Sequence, residues 1–231
     1  MERTTRLVWD LPVRVTHWLL VISVSGAYLT SRFGTGMFKW HRYCGYTVLI
    51  LVTFRIVWGL VGTRHARFEN FLRSPRHAIE YLWKLRSTSV SLASVGHNPL
   101  GGWSVVAMLA LLIAQAGTGL FANDDIISTG PFFGWVSHAL SNALTMYHHV
   151  IFNALEALLG AHVLMIAFYG YVRKVNLLTP MVTGCKPAAL VAEPEEIHGS
   201  RVFLALGIIA VLGGALAAAL FFAPAASLSI F

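Results

Sequence analysis

The chain has 231 residues, 56% of them hydrophobic and only 12% charged, with a mean hydropathy of +0.66, a balance that excludes a disordered chain and an ordinary water-soluble domain. Its 20 glycines and 8 prolines follow no repeating pattern, which excludes a collagen-like or low-complexity protein. A net charge of +7 would suit nucleic acid, but the Lys and Arg residues flank apolar segments, so the expected partner is a lipid membrane and no nucleic acid.

Crossing about 30 Å of hydrocarbon takes roughly 20 mostly apolar residues in a helix. Five stretches meet that requirement: 11–31, 41–61, 103–121, 144–172 and 202–223. The first resembles a signal peptide in following Arg3 and Arg6, but Arg14 and His17 interrupt its start and no small-residue cleavage site follows, so a retained helix is expected. Most of the 17 Lys and Arg fall before the first segment, between the second and third, or between the fourth and fifth; the opposite side holds Arg32, Lys39 and Arg42 with the acidic Asp124 and Asp125. The positive-inside rule then places the N-terminus in the cytoplasm and, with five spans, the C-terminus outside. Within the basic connection, Ser74 and Pro75 open a helix over 75–86 in which Ile79, Leu82 and Trp83 recur at i, i+3, i+4 beside Arg76, Lys84 and Arg86, the pattern of a helix lying on the cytoplasmic membrane surface. The expected organisation is an all-α integral membrane protein: a four-helix bundle over 1–180, a polar cytoplasmic linker over 181–200 and an extra C-terminal transmembrane helix over 201–231.

Two cysteines, Cys44 and Cys185, form no CxxC or CxxCH, so neither a disulfide framework nor a cysteine-held cluster is expected. The polar residues inside the spans carry the chemistry, because each ionisable side chain costs about 2.5 to 3.5 kcal/mol at the bilayer centre. His17 lies in the first span, His41 and Arg55 in the second, and His148, His149, Asn153, Glu156 and His162 in the fourth. A helix rises about 1.5 Å and turns about 100° per residue, so His148 and His162 share one face at depths about 21 Å apart. His149 sits about 140° round from His162 and is the poorer partner, although the adjacent pair leaves either residue open. The topology pairs His41 with His148 toward the outer side and His17 with His162 toward the cytoplasmic side. Paired imidazoles without a carboxylate or thiolate suit the two axial positions of a haem iron better than tetrahedral zinc, which takes four protein ligands or three and water. A haem-free zinc or proton pathway remains the alternative. Arg55, 14 residues after His41, points to the same face near the inner level; it either meets a haem propionate or quinone oxygen or snorkels to the headgroups. Gly45, one turn after His41, leaves room for a porphyrin or for a neighbouring helix. His65, His77, His97, His138 and His198 fall in connections, where ordinary solvated histidines are expected.

Six features now combine: RVTHW (residues 14–18), KWHRYCGY (39–46) followed by FRIVWG (54–59), NPLGGWSVVAML (98–109) with TGLF (118–121), and helix-4 histidines 14 apart. In their order and spacing these resemble the bacterial cytochrome b561 family, which includes the b-type cytochrome subunits of membrane-bound nickel-iron hydrogenases. The resemblance covers residues 7–178. It implies a four-helix core in a bacterial cytoplasmic membrane holding two non-covalent b haems. The ligands would come from the first, second and fourth helices, here His17, His41, His148 and His162, and none from the third. It further implies electron transfer between ubiquinone or menaquinone and a redox partner on the periplasmic side, hydrogenase-like or cytochrome c-like. Some shorter relatives instead oxidise superoxide and reduce ubiquinone; Lys39 and Arg42 beside the outer site would attract that anion. Arg55, and more weakly Asp10, are the candidate polar groups for a quinone near the inner haem, Asp10 also suiting a helix cap.

Overall fold

In a computed structural model of the chain, residues 4–33, 35–84, 95–125 and 128–223 are described. Eight α-helices run α1 (Leu11–Arg32), α2 (Phe38–Val61), α3 (Phe68–Phe71), α4 (Pro75–Lys84), α5 (Pro99–Gly119), α6 (His138–Tyr171), α7 (Leu178–Thr183) and α8 (Val202–Phe221), with strands β1 (Thr5–Leu7) and β2 (Cys185–Pro187). The five stretches expected as spans are covered by α1, α2, α5, α6 and α8. Four of these, α2, α5, α6 and α8, are long and apolar enough to cross a membrane; α1 has the length, but its composition falls short of the same measure. The surface helix expected over 75–86 is α4, on which Ile79, Leu82 and Trp83 are all exposed. Arg3, Arg86 and the last part of the C-terminal segment, from 224 on, lie outside the described residues.

Two compact units divide the chain. The first comprises residues 1–16, 55–108 and 158–205. There β1 pairs antiparallel with β2, Arg6 opposite Lys186, joining the amino-terminal strand to the segment expected as a polar linker. Gly184 makes that junction possible: its φ of +87° ends α7, its carbonyl accepts from Val8 N and Trp9 N, and a Cβ there would meet the Trp9 carbonyl oxygen at 2.8 Å. The segment continues as structure, with Val191 and Ile197 buried, Arg6 donating to the Val191 carbonyl, and His65 Nε2 donating to the Glu195 carbonyl at 2.7 Å. Asp10 caps α1 by accepting from Val13 N at 2.7 Å, and Pro12 occupies the first turn, where its missing N–H costs nothing.

The second unit comprises residues 17–54, 109–157 and 206–231. Close approach of α1 to α2 depends on Gly26, where a Cβ would meet Cys44 Sγ at 3.0 Å. The connection from α5 to α6 is tied by Asn123, whose Nδ2 donates to Ser141 Oγ and Asn142 Oδ1 and whose N–H donates to Thr145 Oγ1. Ser141, fully buried, donates in turn to the Phe121 carbonyl. These bonds join the end of α5 to the first turns of α6 and so set which α5 residues face His148.

Candidate functional site

In the second unit, α2 presents His41 and α6 presents His148, and their ring centroids stand 6.3 Å apart. The neighbours of each ring decide which nitrogen faces outward. His41 Nδ1 lies 2.9 Å from the Ala27 carbonyl oxygen, and His148 Nδ1 lies 2.9 Å from the Gln115 carbonyl oxygen. A carbonyl has no proton to give, so both Nδ1 atoms carry hydrogen and both Nε2 atoms keep their lone pairs. That is the arrangement of a metal-ligating histidine, with the remote N–H spent on a backbone carbonyl. Two imidazole nitrogens each about 2 Å from one metal would set the ring centroids roughly 6 Å apart. A separation of this size would let both rings hold one haem iron between them. Room beside the pair fits as well: a Cβ at Gly45 would meet nothing within 4 Å.

Helix α5, expected to supply no ligand, contributes to His148 in three ways. The Gln115 carbonyl orients the ring, Thr118 Oγ1 lies 3.2 Å from the same Nδ1, and Gly119 leaves the space the ring needs, since a Cβ there would meet His148 Cε1 at 3.0 Å. The Gln115 side chain also donates from Nε2 to His148 Nε2 at 3.0 Å, while its Oε1 is sealed from solvent with no partner among the described residues. His149, one residue on, is exposed, so the structure turns His148 and not His149 toward His41. Lys39 and Arg42 are held over the rings of Tyr43 and Phe38.

His17 belongs to the second unit, half-buried with its ring against Trp18. His162 belongs to the first, half-buried and in electrostatic range of His97. Arg55, also in the first unit, does not snorkel: it is 6% exposed, its guanidinium lies over the Phe68 ring, and its Nη1 is sealed with no hydrogen-bond partner among the described residues. Asp10 is 1% exposed and fully engaged, with Oδ2 accepting from Trp58 Nε1 at 3.0 Å and from Thr63 Oγ1.

Two of the histidines expected to be solvated are not. His65 is buried, and His97 is packed between Trp9 and Phe71 with its Nδ1 sealed. Burial first, then the charges of Arg55 and Lys186 with the neighbouring imidazoles of His162 and His65, push the His97 pKa down to about 3, so this imidazole is neutral. His77, His138 and His198 are exposed, His138 against Asp125 at 2.9 Å. The sequence signal for His97 was faint; Trp9 and Phe71, which enclose it, lie far away in the chain.

A family model described as prokaryotic cytochrome b561 matches residues 8–184. Among curated proteins, the chain is 27% identical over 217 residues to the "Probable Ni/Fe-hydrogenase B-type cytochrome subunit" of Azotobacter chroococcum mcd 1, an alignment covering 79% of this chain and 89% of that protein. It is 26% identical to the like-named protein of Azotobacter vinelandii, with the same coverage, and 23% identical to that of Rhizobium leguminosarum bv. viciae, over 80% of this chain and 90% of the relative. No solved structure matches the chain.

Proposed function

The chain belongs to the prokaryotic cytochrome b561 family, and on that membership we propose that it is a membrane di-haem cytochrome b carrying electrons between the quinone pool and a redox partner on the periplasmic side. The names of its relatives favour a nickel-iron hydrogenase as that partner. His41 and His148 hold the outer haem and His17 and His162 the inner one. The protein sits in the bacterial inner membrane with its N-terminus in the cytoplasm, and α1 is the fifth span. Its Arg14 reaches the Val182 carbonyl, a polar outlet at the basic end of the helix. The exposed Ile79, Leu82 and Trp83 of α4 lie on the cytoplasmic lipid surface.

The observation that carries this reading is the His41/His148 pair, facing at 6.3 Å with both remote nitrogens spent on backbone carbonyls. Haem held there by His41 and His148 would supply one-electron exchange. The chain does the rest. Ala27 and Gln115 aim the two Nε2 lone pairs and raise their basicity through the remote N–H bonds. Arg55 places a buried positive charge near the inner site, where ubiquinone or menaquinone exchanges at the cytoplasmic ends of the helices.

A reduced-minus-oxidised visible spectrum with haem extraction tests the reading: two non-covalent b haems per chain are expected. Colourless protein from haem-replete cells would overturn it.

Gln115 makes a separate forecast. Its amide occupies the His148 lone pair that the iron needs, so loading must displace a hydrogen bond worth about 1 kcal/mol. Gln115→Leu is expected to strengthen retention of the outer haem by about fivefold, read as slower haem transfer to a soluble apo-globin acceptor. Faster transfer would mean that the amide supports the loaded site.

A further inference from the structure

The first unit brings basic groups from several stretches of chain to one imidazole. Around His97, Arg55 comes from α2, His65 from the turn after it, His162 from α6 and Lys186 from β2. Trp9 and Phe71 wall the ring at centroid distances of 4.8 and 4.7 Å. Two polar atoms in this cluster lack a partner among the described residues, Arg55 Nη1 and His97 Nδ1, and both are sealed from solvent. Asp10, the acid in range of Arg55, accepts from Val13 N, Trp58 Nε1 and Thr63 Oγ1 and from neither Arg55 nor His97 among the described residues. A guanidinium and an imidazole left this way are costly, and one oxyanion accepting from both relieves both costs.

We propose that Arg55 and His97, with Lys186 adding positive charge, form a carboxylate-binding site that receives a propionate of the haem at His162. The inference rests on the reading of His162 as a haem ligand given above. The propionate is favoured over a free anion because its carboxylate arrives attached to the group that His162 binds, and the sealed donors offer no solvent route for an ion. His97 enters as a positioning residue: in the tautomer with its hydrogen on Nδ1 it donates without adding charge, while Arg55 supplies the charge.

The test uses the full chain in detergent, with His41→Ala removing the outer haem so that the inner one is read alone. Resonance Raman reports the propionate bending band, and the reduced-to-oxidised ratio is measured at fixed ambient potential. Arg55→Gln is expected to shift the band and lower the ratio about tenfold, since a buried positive charge at an effective dielectric near 20 favours the electron-rich state by about that much. Arg55→Lys should restore most of the ratio. His97→Phe, which keeps a ring between Trp9 and Phe71, should shift the band and change the ratio by less than about threefold. An unchanged band in both Arg55→Gln and His97→Phe, with the inner haem retained, overturns the site while leaving the cytochrome reading intact. A wild-type ratio that follows added inorganic phosphate, and stops doing so in Arg55→Gln, assigns the site to a free anion and overturns the propionate. Complete loss of haem from folded His41→Ala protein overturns the inner-haem reading and this site with it.

Discussion

Replacing His148 with alanine is expected to cut the haem content from two per chain to about one, whereas His149→Ala should leave both. The two residues are adjacent and chemically identical, so the difference is one of direction. A step of about 100° along α6 turns His148 inward and His149 outward. His148 faces His41 at 6.3 Å, is held by the Gln115 carbonyl, and packs where Gly119 has no side chain. Alanine at 148 removes the side chain proposed as an axial ligand and opens a void beside Gly119, where a Cβ would meet the ring. Alanine at 149 removes an exposed side chain, and changes of that kind are usually worth less than about 0.5 kcal/mol. Haem extracted per chain from the two variants, purified side by side, decides the matter. Loss from His149→Ala with retention in His148→Ala would move the ligand by one residue and with it the face of α6 that lines the site.

How far the sequence anticipates this structure depends on whether a signal is local. Span length and the shedding of charge are local properties, so the five long helices appear within a few residues of where composition places them. The i, i+3, i+4 apolar face of α4 is local too. The spacing of the helix-4 histidines, read with 100° per residue, makes His149 the poorer partner of His162, and the ring near His41 is that of His148. What resisted reading is made by chain partners far apart. The pairing of β1 with β2 joins Arg6 to Lys186 across most of the chain, and its one local trace is Gly184, whose positive φ has no sequence mark beyond the residue type itself. His97 looked solvated because the residues beside it are polar or small, yet Trp9 and Phe71 enclose it from elsewhere. The part played by α5 was hidden for another reason: Gln115 acts on His148 through a backbone carbonyl, which any residue type possesses. Gly119 did lie in a recognisable motif, but only the position of the His148 ring shows why a side chain is excluded there.

Asp10→Ala is expected to destabilise the protein by about 3 to 5 kcal/mol, the usual result of removing one member of a buried charged network and stranding the rest. Asp10 is 1% exposed and serves three donors at once: Val13 N on Oδ1, and Trp58 Nε1 and Thr63 Oγ1 on Oδ2. Alanine takes away the cap of α1, worth about 1 kcal/mol on its own. It also leaves an indole N–H and a hydroxyl buried without their acceptor, each at about 1 kcal/mol or more. The larger loss is electrostatic, because Asp10 is the negative charge in range of Arg55, whose guanidinium is already short of one hydrogen bond. For a chain of this size such a loss corresponds to a fall of roughly 10 °C in the unfolding midpoint, measurable by tryptophan fluorescence in detergent. Thr63→Val supplies the control. Alone it should cost about 1 kcal/mol by orphaning one bond to Oδ2, but added to Asp10→Ala it should cost almost nothing, since the acceptor is already gone. Strict additivity of the two substitutions would mean that the hydroxyl and the carboxylate do not share that bond, and that the tie between the start of α1 and the turn after α2 is made by packing alone.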